Sequence, residues 1–199
     1  MTLTIYGSPR SRTMRVLWAA AELGLDHDHM PLAADDPALK TPEFLRLNPA
    51  GAIPVIDDDG FVLAESMAII LYLTRKHATG TLYPAEPRAE AEAWRWSLWA
   101  QGHIEPWVQR DRAMAPLHAT LGAFARARAE AGLSVLDRAL TGAEWLVGER
   151  FTVADLNVAG VLSPSRAATL DLARFPSVRD WLARCYARPA AVATRRRFG

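Results

Sequence analysis

The hydrophobic pattern of the chain changes character near residue 78, and that change limits the fold more than any other feature of the sequence. Before it, short apolar, β-rich runs alternate with stretches of helical spacing, as in a mixed α and β domain. After it, helical spacing runs throughout. Leu3 and Ile5 alternate with Thr2 and Thr4, which predicts a first strand. From about Thr13, the apolar positions Val16, Ala20 and Leu23 recur at helical spacing up to Gly24, a residue suited to end a helix. A second short strand is expected near His29 to Leu32, and the two prolines between Asp35 and Leu47 leave room for a short helix only. Pro54 to Ile56 and Phe61 to Leu63 flank Asp57, Asp58, Asp59 and Gly60, a turn cluster that predicts a β-hairpin. Met67, Ile70, Leu71 and Thr74 mark one face of a third helix ending near His77.

The order β-α-β-α-β-β-α is that of a thioredoxin-like domain, whose ligand site lies where the first strand passes into its helix. This domain is expected over residues 1–78, with a linker at 79–87 that holds Gly80, Pro84 and Pro87, and an all-helical domain over 88–199. Helices are predicted near 88–113, 118–141, 153–163 and 177–188. The 23 Lys and Arg balance 22 Asp and Glu, so charge points to neither nucleic acid nor a membrane as the partner. The single cysteine, Cys185, excludes an internal disulfide or a thiolate metal cluster, and no metal is expected. The start of the chain lacks a signal-peptide pattern and no run reaches the roughly 18 apolar residues of a membrane span, so a soluble cytoplasmic protein is expected. The basic run Arg195, Arg196 and Arg197 reads as a solvated end.

Four segments together resemble the cytosolic glutathione transferase superfamily: IYGSPRSRTMRV, FLRLNPAGAIPVI, AESMAIILYL and GERFTVADLNVAGVL. The resemblance implies an α/β thioredoxin-like N-terminal domain that binds glutathione, followed by an all-α domain that helps bind the second substrate. In the first segment Ser11 precedes Arg15 by four residues, the spacing at which serine-type members place their catalytic hydroxyl. A hydroxyl aimed at the sulfur would favour the thiolate through a charge-assisted hydrogen bond, helped by the helix N-terminus. Ser11 equally suits a helix cap, and Ser8 and Thr13 are hydroxyls in the same loop. With no cysteine in this loop, the chain carries no Cys-x-x-Cys pair and no mixed-disulfide chemistry of the thioredoxin kind.

The resemblance further implies a cis Ile53-Pro54 bond, with the Ile53 backbone pairing with the cysteinyl part of glutathione. Ala52 stands where many relatives carry a polar or basic residue, and Lys40 is the candidate replacement for that charge, facing the glycyl carboxylate. Glu65 and Ser66, at the start of the third helix, are expected to receive the γ-glutamyl group: Ser66 through hydroxyl and N–H, Glu65 beside the ammonium. Either Ser or Pro at such positions also serves as an ordinary cap or strand start. Thr152 with Asp155 forms a capping-box pattern, with Phe151 and Leu156 as its staple.

Trp96, Trp99, His103 and Trp107 recur at helical spacing after the linker, a stripe that suits core packing. The resemblance implies that Trp99, His103 and Trp107 line the pocket for a small hydrophobic electrophile, and Pro106 is expected to kink that helix. It also implies a homodimer. The expected function is conjugation of the glutathione thiolate, as co-substrate, to that electrophile. A non-catalytic glutathione-binding or interaction protein of the same fold is the alternative. A glutathione-dependent isomerase ranks third, because Arg10-Ser11-Arg12 replaces the Ser-Ser-Cys run of those members.

Overall fold

A computed structural model describes residues 2–114, 118–163 and 170–199. The chain divides into two compact units, residues 1–79 with 187–199 and residues 80–186. In the first unit, β1 (Leu3–Tyr6), β2 (Asp28–Met30), β3 (Val55–Asp58) and β4 (Phe61–Ala64) form one sheet in the order β2-β1-β3-β4. β2 runs parallel to β1, which requires a crossover, and α1 (Thr13–Glu22) supplies it. β3 pairs antiparallel with both β1 and β4. Asp59 and Gly60 in the hairpin both have positive φ, 52° and 90°, as a type I′ turn requires.

α1 ends where Gly24 turns to a φ of 62°, so that Gly24 N–H donates to Ala21 C=O and Leu25 N–H to Ala20 C=O. This Schellman pairing satisfies two of the helix's last carbonyls. α1 and α3 (Ser66–Ala78) pack together and bury Val16, Leu17, Ile69, Ile70 and Leu73. Residues 37–47 form two pieces rather than one: a 3₁₀ turn at Pro37–Lys40 and α2 (Pro42–Leu47). Each piece starts with proline, and the side chains of Asp36 and Thr41 cap them by accepting from Ala38 N–H and Phe44 N–H. Phe44, Leu39 and Val55 form a second small core there.

The second unit is helical: α4 (Pro87–Trp99), α5 (Glu105–Met114), α6 (Ala119–Leu140), α7 (Val153–Val161) and α8 (Pro176–Ala187). In a regular helix Pro106 would strike the carbonyl of Gly102. Instead Ala100–Ile104 widen into a π turn, in which Glu105 N–H reaches back to Ala100 C=O. Every residue of α7 is buried. Its capping box is complete, and the Asp155 carboxylate also accepts from Leu146 N–H and Trp181 Nε1–H, 2.9 and 2.8 Å away. One buried side chain thus joins the start of α7, the preceding loop and α8.

The basic stretch read as a solvated end is the last turn of a further helix, α9 (Pro189–Phe198), which belongs to the first unit and packs on α1. Arg188 grips the Glu22 carboxylate with Nε at 2.8 Å and Nη2 at 2.7 Å, and Trp18 Nε1–H donates to the same carboxylate at 2.9 Å. Three cations in the final turn also suit the negative end of the helix dipole. No helix among the described residues is long and apolar enough to cross a membrane.

Asp58 anchors α3 to the end of β3. Burial alone would raise its carboxyl pKa, but hydrogen bonds from Lys76 Nζ, 2.6 Å, and Tyr72 O–H, 2.7 Å, outweigh it and hold the pKa below the usual 3.8. Its folded pKa lies below its unfolded value, so its stabilisation is full above the ordinary carboxylate range and fades as pH falls through the folded pKa. Urea unfolding of wild type and Asp58→Asn is therefore expected to show a stability gap at about pH 6 that narrows as pH falls below the ordinary carboxylate range. A gap that stays constant across that range would refute the assignment.

Candidate functional site

One rung of the sheet, Tyr6 opposite Val55 and Val55 opposite Ala64, crosses β1, β3 and β4. Because β3 runs against its two neighbours, Gly7 leaving β1, Pro54 entering β3 and Glu65 leaving β4 all lie at the same end of the sheet. Three of the four segments singled out in the sequence converge there, each carrying polar groups.

The loop from Gly7 to Arg12 is organised by hydroxyls. Ser11 Oγ donates to Ser8 C=O at 2.7 Å, lies 2.8 Å from Thr13 Oγ1 and accepts Thr13 N–H at 3.1 Å. With its own proton on Ser8, Ser11 receives the hydroxyl proton of Thr13. Ser8 C=O also receives Ser11 N–H at 3.0 Å, so it keeps a partner if the Ser11 hydroxyl turns elsewhere. Thr13 is fully buried, whereas Ser8 and Ser11 are partly exposed. Ser8 Oγ accepts Arg10 N–H at 3.2 Å. Ser11 thus serves the first residue of α1 and still reaches the surface. Gly7 allows this packing: a Cβ there would stand 2.2 Å from Thr13 Oγ1 and 3.0 Å from the Ile53 Cβ, and its φ is 131°.

The Ile53-Pro54 bond is cis, and the Ile53 side chain packs on the core of Leu39, Phe44 and Val55. Lys40 joins this corner by donating from Nζ to Gly51 C=O at 3.2 Å, with the rest of its side chain exposed. Glu65 has φ 72° and ψ 111°, a left-handed conformation that costs a non-glycine residue of order 1–3 kcal/mol. Such strain is held in place by the surrounding structure and gathers at binding sites. Glu65 makes no side-chain cap, is exposed, and presents Ser66, 4% exposed, as the first residue of α3. Neither α1 nor α3 has an acidic residue in its first turn. Two helix N-termini without an acidic residue in their first turns favour an anionic ligand.

The aromatic stripe lies in the second unit and divides. Trp96 meets Trp99 edge to face at 5.1 Å, and the rings of Trp99 and His103 lie within 10° of parallel with centroids 6.5 Å apart. Trp107 instead packs against α6, edge to face on Phe124 at 5.7 Å, with the Arg128 guanidinium 5.4 Å from its ring centre. His103 sits in the π turn and is exposed.

His29 also reaches the loop after β1. Its Nε2 lies 2.8 Å from Gly7 C=O, and since a carbonyl only accepts, the ring nitrogen carries the proton. Nothing local marks this contact, which depends on the parallel pairing of Ile5 with His29 across the crossover.

A sheet in this order with an all-helical second unit defines a thioredoxin-like domain joined to a helical domain. Residues 1–75 match the N-terminal domain of glutathione S-transferases and residues 122–189 their C-terminal domain. The chain is 33% identical over 187 residues to a glutathione S-transferase-like protein of a Fusarium species, covering 88% of this chain and 84% of that one. It is 28% identical over 199 residues to a disulfide-bond oxidoreductase of Escherichia coli, covering 94% and 92%. Among solved structures, a glutathione transferase family member from Pseudomonas fluorescens with two glutathione bound superposes with a TM-score of 0.85 at 27% identity, over 96% of this chain and 91% of that one. The chain belongs to the glutathione S-transferase family.

Gly7→Ala is expected to destabilise the protein by about 1–3 kcal/mol, from the positive φ and the collision with Thr13. Gly102→Ala, with open space around it, serves as the control and is expected to be neutral or mildly stabilising. Denaturant midpoints that respond alike to both substitutions would contradict the packing described for Gly7.

Proposed function

We propose that this protein is a serine-type glutathione transferase, which binds glutathione across the end of the sheet and adds its thiolate to a small apolar electrophile. The observation that carries the reading is the convergence of Ser11, the cis Ile53-Pro54 corner and the Glu65-Ser66 helix start on one sheet rung. In this reading the Ile53 backbone pairs with the cysteinyl residue. Lys40 faces the glycyl carboxylate, Ser66 with the N-terminus of α3 takes the γ-glutamyl carboxylate, and Glu65 takes its ammonium.

The chemistry asked of Ser11 is one hydrogen bond. A thiolate is a stronger acceptor than a carbonyl, so the Ser11 proton turns from Ser8 C=O to the sulfur, and Ser8 C=O retains Ser11 N–H. Thr13 keeps donating to Ser11 Oγ, which makes the Ser11 proton more acidic. Thr13 is itself too buried to touch the sulfur. The N-terminus of α1 adds to the stabilisation of negative charge. Trp99, His103 and Trp107 are assigned to the electrophile: the near-parallel rings of Trp99 and His103 suit a flat apolar molecule, and Trp107 lies apart from them against α6.

The likeness to the E. coli disulfide-bond oxidoreductase favours one second reading. Thiolate attack on a disulfide sulfur needs no protein cysteine when glutathione is the attacking thiol: one glutathione displaces a thiolate, and a second resolves the mixed disulfide to oxidised glutathione. Both readings use the same thiolate and differ in its target. The homodimer implied by the family is read by sedimentation velocity at micromolar concentration, and monomer alone would remove it.

Ultraviolet absorbance of bound glutathione is expected to show thiolate near neutral pH. Ser11→Ala is expected to raise the midpoint by about one pH unit and lower kcat/KM for an activated aryl halide at least about tenfold, with Ser8→Ala close to wild type. Bound glutathione that stays protonated in the wild type supports the non-catalytic alternative instead. Turnover of a small disulfide without turnover of the aryl halide supports the oxidoreductase reading.

A further inference from the structure

Ser11 is connected through a short series of contacts to a helix that the assigned site does not include. Its hydroxyl is held by Thr13 Oγ1 at 2.8 Å, and Thr13 Oγ1 fills the space a side chain on Gly7 would occupy. Gly7 C=O is fixed by His29 Nε2–H at 2.8 Å, while Gly7 N–H extends the β1–β2 ladder by donating to Met30 C=O at 2.8 Å. The His29 ring then meets the ring of Phe198, from α9, edge to face with centroids 5.2 Å apart and planes at 84°. The far end of α9 is tied to α1 by the bidentate Arg188–Glu22 pair. α9 therefore holds the helix that begins beside Ser11 at its far end and the loop that carries Ser11 at its near end.

We propose that His29 is a positioning residue for Ser11, and that Phe198 of α9 sets the His29 ring. The inference rests on the reading of Ser11 as the thiolate's hydrogen-bond donor. A glycine with φ 131° has wide freedom on its own, and the loop beyond it has no strand partner to define its direction. The ladder bond from Gly7 N–H leaves its carbonyl peptide plane free to rotate about ψ. The hydrogen bond from His29 removes that freedom, and with it the freedom of the hydroxyls at Ser8, Ser11 and Thr13. Loss of the His29 donor would leave the glutathione backbone contacts at Ile53 and Ser66 in place while misaiming the Ser11 proton. The signature is therefore a change in kcat and in thiolate ionisation, with affinity for glutathione preserved.

The test compares wild type with His29→Leu, His29→Gln and Phe198→Ala. It follows bound-glutathione thiolate by ultraviolet absorbance against pH, together with kcat and the glutathione KM. His29→Leu is expected to raise the thiolate midpoint and lower kcat about three- to tenfold, with KM within about twofold. His29→Gln, whose amide again donates to Gly7 C=O, is expected to recover most of the loss, and Phe198→Ala to move in the same direction as His29→Leu by less. A wild-type midpoint and kcat in His29→Leu overturn the proposal, as does a change confined to KM or a folded His29→Gln no better than His29→Leu. If His29→Leu does not fold, Phe198→Ala decides on the same criterion. A wild type that never ionises bound glutathione removes the Ser11 reading instead. Positioning is then judged on the unliganded protein from the Ser11 and Thr13 amide resonances, which Phe198→Ala shifts if the proposal holds and leaves in place if it does not.

Discussion

The antiparallel pairing of β3 with both β1 and β4 is the constraint on which the rest of the first unit depends. It is built from buried Ile5, Val55 and Ile56 and turned by Asp59 and Gly60. A slip of one residue would turn Val55 and Ile56, both fully buried, to the opposite faces of the sheet and so into the wrong packing. It would also separate Gly7, Pro54 and Glu65, which meet only because Tyr6, Val55 and Ala64 share a rung. The candidate site is thus a consequence of register, and the core that fixes the register fixes the site.

At that end of the sheet, polar groups are arranged with little redundancy. Ser11 Oγ has three neighbours within 3.1 Å: Ser8 C=O, Thr13 Oγ1 and Thr13 N–H. Its proton can leave Ser8 for a better acceptor while Ser8 C=O keeps Ser11 N–H, so under the proposed function a thiolate would meet a donor that is already in place. Glu65 holds a strained backbone at the start of α3. Both features suit the anion site proposed for this end of the sheet, in which folding would settle the orientation of donors before a ligand arrives.

Much of this was legible in the sequence because the signals are local. The hairpin followed from a turn cluster between two apolar runs, the end of α1 from Gly24, and the capping box from Thr152 and Asp155. The segments that resemble the family's glutathione site were recognisable as such, while their convergence required the register. What escaped was non-local. Arg195, Arg196 and Arg197 are exposed as expected, but the helix that carries them, α9, was missed because its attachments, Arg188 to Glu22 and Phe198 to His29, span most of the chain. The short helix expected between Asp35 and Leu47 is α2, and the 3₁₀ turn before it is separate because Pro37 and Pro42 each start their own capped piece. At Pro106 the clash was foreseen, but not its relief by a π turn. Of three hydroxyls in the first loop, only the packing of Thr13 against Gly7 distinguishes the buried one.

Nitrogen–proton correlation spectra of the protein titrated with glutathione would show whether this one end of the sheet is a glutathione site. The amides of Gly7, Ser11, Thr13, Ile53, Glu65 and Ser66 are expected to move together on one saturation curve, while those of the Asp59-Gly60 turn at the opposite end of the sheet hold still. Shifts that bypass these residues, or that follow unrelated curves at the three segments, would contradict a glutathione site there.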